Sequence, residues 1–279
     1  PVANNDKYAE SLMKEYINYM SVTDTTYGSD VRNAFNSGRV PSKFGNWIAK
    51  GIASDKLVLW AESYDTYSNG PDDWDASTYM SQNVIDRAYA IVASREGSNA
   101  IYLSRPSATE KNNINSGQKG SIAFKNKEVT AINHFKNDCI GEAECYVTEN
   151  NVAAVCRENG AVIVLGSGGN ENITVTNGDG ITKPGSYMDL VSGSIWTVTD
   201  SEIIGQVGKN GIAVLLNSTL DVYAPYAYVT PESTNYTTDT FEVTLNFENA
   251  VIGQYSINGG DFQSFENGQK ITIGKGTEA

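Results

Sequence analysis

The stretch that decides the fold is "KLVLWAESYDTYSNG", Lys56 to Gly70, which begins as an apolar run and ends in polar side chains. Its first half has the composition of a buried strand, predicted over Lys56 to Ser63. Its second half carries Glu62 and Asp65 among hydroxyl and amide groups. Carboxylates are costly to bury without a partner, so their position directly after a buried strand indicates either a structural carboxylate with a polar partner or a site.

On both sides of this stretch, helical and strand patterns alternate as far as about residue 137. Such alternation is typical of β/α units with a parallel sheet. Helices are predicted over Asp6 to Met20, Ser29 to Asn36, Ser81 to Gly97 and Lys127 to Phe135, and further strands over Met20 to Thr23 and Ala100 to Leu103. About three parallel strands leave two open sheet edges, so residues 1–137 are not predicted to close a barrel by themselves.

From about Cys139 the pattern changes to short strands separated by Gly, Asn and Asp turns, which predicts an antiparallel β-sandwich over residues 138–222. Val152 to Gly166 has the pattern of a hairpin with Asn159-Gly160 at its turn. Tyr223 to Pro231 reads as a linker. Strictly alternating residues beyond it predict a second, incomplete β module over 226–279. This module resembles immunoglobulin-like modules.

Composition excludes several classes of partner. A formal charge of -13 and an isoelectric point near 4.5 disfavour nucleic acid, because a polyanion would be repelled. No apolar run approaches the roughly 20 residues needed to span a bilayer, so no membrane partner is expected. Cys139, Cys145 and Cys156 lack the spacing of a zinc site, and a Cys139–Cys145 disulfide and free buried thiols both stay open.

"LVLWAESYDTYSN" resembles the seventh barrel strand of the α-amylase family, glycoside hydrolase family 13, in its bacterial extracellular members. "YMSVTDTTYGSDVRNAFNSG" (19–38) resembles their sixth strand and helix, and "AIVASREGSNAIYLSRP" (90–106) resembles their seventh helix and eighth strand. "VTAINHFKN" (129–137) resembles the last helix, and residues 139–217 resemble the C-terminal domain. The resemblance therefore implies about strands 6 to 8 of a TIM (β/α)₈ barrel followed by a β-sandwich.

The resemblance implies an α-amylase that cleaves α-1,4 bonds of starch or another α-glucan with retention. Sites in such barrels lie at the C-terminal ends of the strands, where Asp65 is expected. Asp65 would be the carboxylate that stabilises the transition state, and Tyr64, Tyr67 and Asn69 would contact sugar. Trp60 and Trp74 are further aromatic candidates, although aromatic side chains at strand ends more often belong to the core.

Two departures from the family pattern matter. Tyr64 stands where the family has a histidine, and a phenol donates a longer hydrogen bond that does not titrate near neutrality. The family's nucleophile and general acid follow strands four and five, so the missing N-terminal half of the barrel is expected to supply them from the same parent polypeptide. Alone, the segment is expected to be inactive. The resemblance also implies secretion, and calcium whose ligands lie outside this segment.

Two rival interpretations stay open: a non-catalytic starch-binding or glucan-binding protein, and a glucan-remodelling relative. The terminal β module would either bind carbohydrate or serve as a spacer. Glu62 is expected to have a structural role with a polar partner, and His134, the only histidine, to be structural or solvated. The acids of the loop after Asn69 do not match a calcium-binding EF-hand and are expected to be solvated: Asp72, Asp73 and Asp75.

Overall fold

The computed structural model describes residues 9–42, 50–68, 75–106, 120–217, 226–231, 238–248, 250 and 252–274. The chain divides into two units, Pro1–Thr219 and Leu220–Ala279. The α/β region and the sandwich share the first unit, so we describe these two together and the second unit by itself. None of the described helices combines the length and the apolar character that crossing a membrane requires.

The α/β region has a three-stranded parallel sheet in the order β1-β2-β3. Its strands are β1 (Val22–Thr23), β2 (Leu57–Trp60) and β3 (Asn99–Ile101). Its helices are α1 (Ala9–Tyr16), α2 (Thr25–Asn36), α3 (Tyr64–Ser68), α4 (Gln82–Ser94) and α5 (Lys127–Asp138). The predicted parallel sheet with flanking helices is confirmed, and the described residues form no closed barrel.

Polar side chains set the beginnings of the two helices that cover this sheet. The Asp24 carboxylate accepts a hydrogen bond from the Tyr27 amide at 3.1 Å, so α2 begins earlier than its predicted start at Ser29. The Ser81 hydroxyl caps α4 through the Val84 amide at 3.3 Å, as its sequence pattern predicts. The apolar face of α4 is then buried against the sheet and against the sandwich.

Residues 145–216 form two four-stranded antiparallel sheets, which confirms the predicted sandwich. One sheet has the order β11-β6-β5-β4, and the other has the order β7-β10-β9-β8. The strands of the first sheet are β4 (Cys145–Glu149), β5 (Val152–Arg157), β6 (Gly160–Leu165) and β11 (Ile212–Leu216). The strands of the second sheet are β7 (Asn172–Thr176), β8 (Gly185–Met188), β9 (Ile195–Val198) and β10 (Glu202–Gln206).

The two sheets differ in how much of their surface is covered. Every residue of β5, β6 and β11 is buried, because the second sheet covers one face of these strands while α4 and α5 lie on the other. In β9 buried and exposed residues alternate, since its outer face meets solvent. The first sheet is therefore the middle layer of the unit, and the side chains between the two sheets include the fully buried Trp196.

Two arginines join the α/β region to the sandwich by bonding to backbone carbonyl groups. Arg87 of α4 donates to the carbonyl oxygens of Leu165 at 2.7 Å and Gly168 at 2.5 Å. Arg157 of β5 donates in the opposite direction, to the Ser94 carbonyl at the end of α4, at 3.1 Å. Because both guanidinium groups are buried, these contacts fix the orientation of α4 on the middle sheet.

The second unit contains a three-stranded antiparallel sheet in the order β12-β13-β16 and a two-stranded sheet of β14 and β15. Its strands are β12 (Tyr226–Thr230), β13 (Thr240–Glu248), β14 (Gly253–Tyr255), β15 (Gln263–Phe265) and β16 (Gln269–Gly274). Its core is small, with Val243, Leu245 and Phe265 buried. Asn258 and Gly259 both have positive φ, which is typical of a tight two-residue turn.

Candidate active site

The site predicted at the end of β2 lies on a single short helix. The strand ends at Trp60, three residues before the predicted Ser63, and α3 begins at Tyr64. Ser63 and Thr66 bond reciprocally, because the Ser63 amide donates to Thr66 Oγ1 at 3.0 Å and the Thr66 amide donates to Ser63 Oγ at 3.3 Å. Hydroxyl side chains three residues apart thus start the helical turn that carries Asp65.

The structure places the three predicted site residues that it describes in different surroundings. Asp65 is exposed, and Tyr64 is 60% exposed beside it. Tyr67 is only 2% exposed, and the Arg105 guanidinium lies 5.1 Å from the centre of its ring. The predicted sugar contact of Tyr67 is therefore corrected, because this side chain packs against Arg105 and presents almost no surface to a ligand. Asn69 lies outside the described residues and stays a prediction.

Glu62 has the polar partner that its expected structural role requires. Its side chain is 0% exposed, and Arg105, which follows β3, pairs with both of its oxygens. Arg105 Nε donates to Glu62 Oε2 and Arg105 Nη2 donates to Glu62 Oε1, each at 2.7 Å. Parallel fork contacts of this kind are the strongest form of arginine–carboxylate bonding.

The buried pair also holds the segment that follows α3. Arg105 Nη1 donates to the Met80 carbonyl at 2.7 Å, and Arg105 Nη2 donates to the Ser77 carbonyl at 3.1 Å. The Ser77 hydroxyl contacts Glu62 Oε1, and the Ser77 amide donates to the Thr66 carbonyl at 2.8 Å. The end of β2, the helix α3 and residues 77–80 are therefore one connected network.

A second buried arginine supports the same strand end from the other side. Arg32 of α2 donates to the Ala61 carbonyl at 3.1 Å and forms an ion pair with Asp75. Burial is the largest influence on Arg32 and lowers the pKa of its guanidinium, while the Asp75 and Glu62 carboxylates oppose that shift. Asp75, expected to be solvated, is instead a structural partner of Arg32.

Among the described residues that directly follow β1 and β2, the arrangement leaves Asp65 as the carboxylate available to a ligand. Asp24 is buried at the start of α2, and Glu62 is paired with Arg105, whereas Asp65 is exposed. Retaining glycoside hydrolysis needs a nucleophile and a general acid about 5 Å apart, which Asp65 alone cannot supply. Asp65 can instead accept hydrogen bonds from a ligand or stabilise a positive charge that develops near it.

The sequence did not identify Arg32, Ser77 or Arg105 as parts of this site. Arg105 could have been found from its place in the sequence, because it is a polar residue that follows β3, the strand next to β2. Parallel strands end at the same edge of their sheet, so residues that follow β2 and β3 lie close together. Arg32 and Ser77 carry no comparable signal, because an arginine on a helix and a serine in a loop are most often solvated.

The other candidate groups do not assemble a second site. Among the described residues, no group of three or more His, Cys, Asp and Glu side chains could hold a metal ion. His134 is half-buried on α5. The three thiols are free, and burial raises the pKa of Cys156 to about 11. Asp72 and Asp73, like Trp74, lie outside the described residues.

Comparisons with known proteins show similarity to α-amylases, although no protein-family model matches the chain. The chain is 28% identical over 210 residues to an α-amylase of Clostridium acetobutylicum, a match that covers 72% of this chain and 25% of that protein. It is 27% identical over 238 residues to an α-amylase of Butyrivibrio fibrisolvens, covering 76% of this chain and 23% of that protein. The chain thus spans about a quarter of the length of these relatives.

Solved structures agree in fold. α-Amylase I from Eisenia fetida superposes with a TM-score of 0.57 at 14% identity, covering 73% of this chain and 50% of that one. A variant of the same enzyme in complex with maltohexaose gives a TM-score of 0.56. The α-amylase from H. orenii gives 0.50 at 12% identity, covering 75% of this chain and 51% of that one. The predicted resemblance to α-amylases is therefore confirmed, because the chain is similar to them in sequence and in fold.

Proposed function

We propose that this chain contributes the last part of a (β/α)₈ barrel, about strands 6 to 8, and the following β-sandwich to a retaining α-amylase that acts on α-1,4-glucans. The observation that carries the proposal is the exposed Asp65, which lies on α3 directly after a parallel strand in a chain related to α-amylases. Secretion and a starch-like substrate belong to the same proposal. The complex of an Eisenia fetida relative with maltohexaose supports a glucan ligand.

In this mechanism Asp65 does not attack the sugar. An upstream carboxylate is the nucleophile and a second one is the general acid, as retaining glycosidases require. The Asp65 carboxylate accepts hydrogen bonds from the hydroxyl groups of the distorted sugar, and these bonds strengthen as the ring becomes an oxocarbenium ion. Tyr64 offers a phenol to the same sugar, and Asn69 also contacts the glucan. The calcium expected from the resemblance enters no step here, because no described residues would hold it.

The direct experiment is Asp65→Asn in the full-length polypeptide that contains this chain. The amide keeps the shape but loses the charge, so kcat on soluble starch should fall by about 100- to 1,000-fold. Asp200→Asn is the matched control, because Asp200 is an exposed aspartate in the sandwich. A fall in kcat for both variants, or for neither, would contradict the proposed role of Asp65.

The 279-residue chain by itself should release no reducing sugar from soluble starch. This outcome follows from the proposal that the nucleophile and the general acid lie upstream. The measurement is a reducing-sugar assay against a protein-free blank, with the full-length polypeptide as the positive control. Sugar release by the isolated chain would show that the catalytic carboxylates lie within it, and the division of roles given above would be wrong.

Tyr64 tests whether the site is a working one. Tyr64→His in the full-length polypeptide introduces the group that the family carries at this position. A large gain in turnover in Tyr64→His would favour a degenerated site and the non-catalytic glucan-binding alternative. Normal turnover of the unmutated polypeptide would instead favour an enzyme with an altered subsite. Product analysis on maltooligosaccharides separates hydrolysis from glucan remodelling, because only remodelling yields products longer than the substrate.

A second candidate function, glucan binding by the terminal β unit, rests on a groove of about 440 Å³. The groove is lined by Tyr228, Tyr255 and Phe262, and Phe262 is 73% exposed. Aromatic faces of this kind pack on the apolar faces of sugars. Affinity electrophoresis in amylose gels should show retardation of the chain that Phe262→Ala reduces, with Ile252→Ala as the control for another exposed apolar residue. Unchanged migration of the unmutated chain in amylose would leave the unit as a spacer.

A further inference from the structure

We propose that Arg105 and Glu62 act as a positioning pair that fixes α3 so that Asp65 faces the substrate. This inference rests on the proposed role of Asp65 and adds residues that touch neither the sugar nor the reacting atoms. The pair connects two neighbouring strand ends, because Glu62 follows β2 and Arg105 follows β3. It lies beneath the helix on which Asp65 is exposed.

The geometry of the pair holds both of its members in one position. The side chains of Arg105 and Glu62 are 9% and 0% exposed, and both fork contacts measure 2.7 Å. The remaining donors of Arg105 bond to the carbonyls of Met80 and Ser77. A guanidinium held by this many contacts has one position, and so has everything that it contacts.

The pair is connected to α3 through Tyr67 and Ser77. The Arg105 guanidinium lies over the ring of Tyr67, and this ring is buried on the inner side of the helix. The Ser77 hydroxyl bridges Glu62 Oε1 and the hydroxyl of Thr66, which it contacts at 3.2 Å. The residues after Asp65 are thus held from below, which fixes the rotation of a helix of only five residues. Tyr64 and Asp65 are thereby directed outward.

A charged pair at this position gives direction that apolar packing would not give. Burying two charges is costly, and apolar side chains of similar volume often stabilise a core equally well. Apolar side chains would not fix the rotation of α3, because dispersion contacts are not directional. A displacement of about 1 Å at a reacting group can cost on the order of 100-fold in rate, so precise placement of Asp65 is the advantage that the ion pair supplies.

The test uses the full-length polypeptide and measures kcat, KM and thermal unfolding together. Arg105→Lys keeps the charge but loses the fork, and Glu62→Gln keeps the shape but loses the charge. Both variants should lower kcat by about 10- to 100-fold while KM changes less than threefold. The double variant Arg105→Met, Glu62→Leu should recover most of the melting temperature but not kcat, because packing is restored and orientation is not.

The matched control is Arg157→Lys. Arg157 is also buried and also bonds to carbonyl oxygens, but it lies at the junction with the sandwich. This variant should lower the melting temperature and leave kcat unchanged below it. Equal effects of Arg157→Lys and Arg105→Lys on kcat would overturn the inference, because both would then act through stability alone.

A readout that needs no catalysis is amide hydrogen exchange in the 279-residue chain. Glu62→Gln should speed exchange at Thr66 and Tyr67 more than tenfold and leave the amides of α4 unchanged. Unchanged exchange in α3 would overturn the positioning role. If Arg105→Lys does not fold, Glu62→Gln still tests the positioning role of the pair, because the substitution of Glu62 by Gln preserves side-chain volume.

Failure of the inference can be told from failure of the proposed function by measuring Asp65→Asn in the same series. A large fall in kcat for Asp65→Asn, with none for Arg105→Lys and Glu62→Gln, overturns the positioning pair alone. No fall for Asp65→Asn overturns the proposed function and the inference with it. A double variant with full kcat and full stability also overturns the pair, because apolar packing would then suffice.

Discussion

The sandwich and the α/β region of the first unit differ in what their interiors contain. Between the two sheets of the sandwich the side chains are mainly apolar, and Trp196 is the largest of them. Beneath the ends of the parallel strands, the buried groups include Glu62, Arg32 and Arg105. Apolar burial stabilises without specifying direction, whereas ion pairs specify direction at a cost in stability. The difference indicates that the sandwich stabilises the unit, whereas the charged groups beneath the strand ends fix the orientation of the side chains above them.

The largest expected effect is on the sandwich. Trp196→Ala removes a fully buried ring against which Gly205 packs so closely that an added Cβ would lie 2.2 Å from the indole. The cavity that remains should cost about 4 kcal/mol of unfolding free energy, measured by urea denaturation. A cost below about 1 kcal/mol would contradict the view that this core carries the stability of the unit.

The second effect concerns the junction between the two regions. Arg87→Met takes the Arg87 donor from the carbonyls of Leu165 and Gly168 and should cost about 3 kcal/mol. It also removes one of the two donors to the Asn210 carbonyl, which keeps its bond from Asn83. In addition, the urea unfolding transitions measured by tryptophan fluorescence and by far-ultraviolet circular dichroism should no longer coincide in this variant. Arg39→Met is the control, because Arg39 is a more accessible arginine of the same region. Coincident transitions in Arg87→Met would show that the junction does not couple the regions.

The third effect is a dependence on pH within the α/β region. Burial raises the pKa of Tyr89 from 10.0 to about 12, and its hydroxyl donates to Asn133 at 2.7 Å. Between pH 10 and 12 the unfolded phenol ionises before the folded one, so this part of the stability is present below pH 10 and is lost as pH rises. The loss should reach about 1.4 kcal/mol at pH 11.

Tyr89→Phe should remove this alkaline loss, although it also removes the hydrogen bond to Asn133. The measurement is urea unfolding at pH 9 and pH 11, in which the variant should show a smaller change between the two values than the unmutated chain. Tyr19→Phe, whose ring is 82% exposed, is the control. The same pH dependence in all three proteins would mean that Tyr89 ionises equally readily in both states.

The smallest effect tests the turn between β4 and β5. Asn150 and Asn151 have φ values of 49° and 61°, a conformation that β-branched residues strongly disfavour. Asn150→Val should destabilise by about 1 kcal/mol, and Asn150→Gly should be neutral. Equal stability of the two variants would show that the strands impose their register without help from the turn.

The sandwich was the more predictable region, and its one wrong detail has a physical reason. The turn was predicted at Asn159-Gly160, but it lies one residue earlier, at Glu158 and Asn159. Gly160 is already the first residue of β6 and pairs with Arg157, the last residue of β5. Its φ is not positive, so the glycine does not serve a turn. A Cβ at this position would lie 2.1 Å from the Leu215 carbonyl oxygen, so glycine is needed for close approach of the backbone.

The candidate site was predictable only in part. The polar residues after β2 indicated where to look, and the resemblance supplied the role of Asp65. The orientation of Tyr67 could not be predicted, because the strand gives way to a helical turn and the side-chain period changes from two to 3.6 within four residues. The partner of Glu62 follows a different strand, and contacts between distant segments leave no local pattern in the sequence.

The reciprocal arginine contacts between α4 and the sandwich have a consequence for how such a polypeptide diverges over time. Arg87 and Arg157 bond to main-chain oxygens, which every amino acid presents alike. Substitutions at the accepting positions therefore leave the junction intact as long as the course of the backbone is kept. Homologues can exchange most of the side chains around this junction and inherit the same domain arrangement, provided that the two guanidinium groups persist.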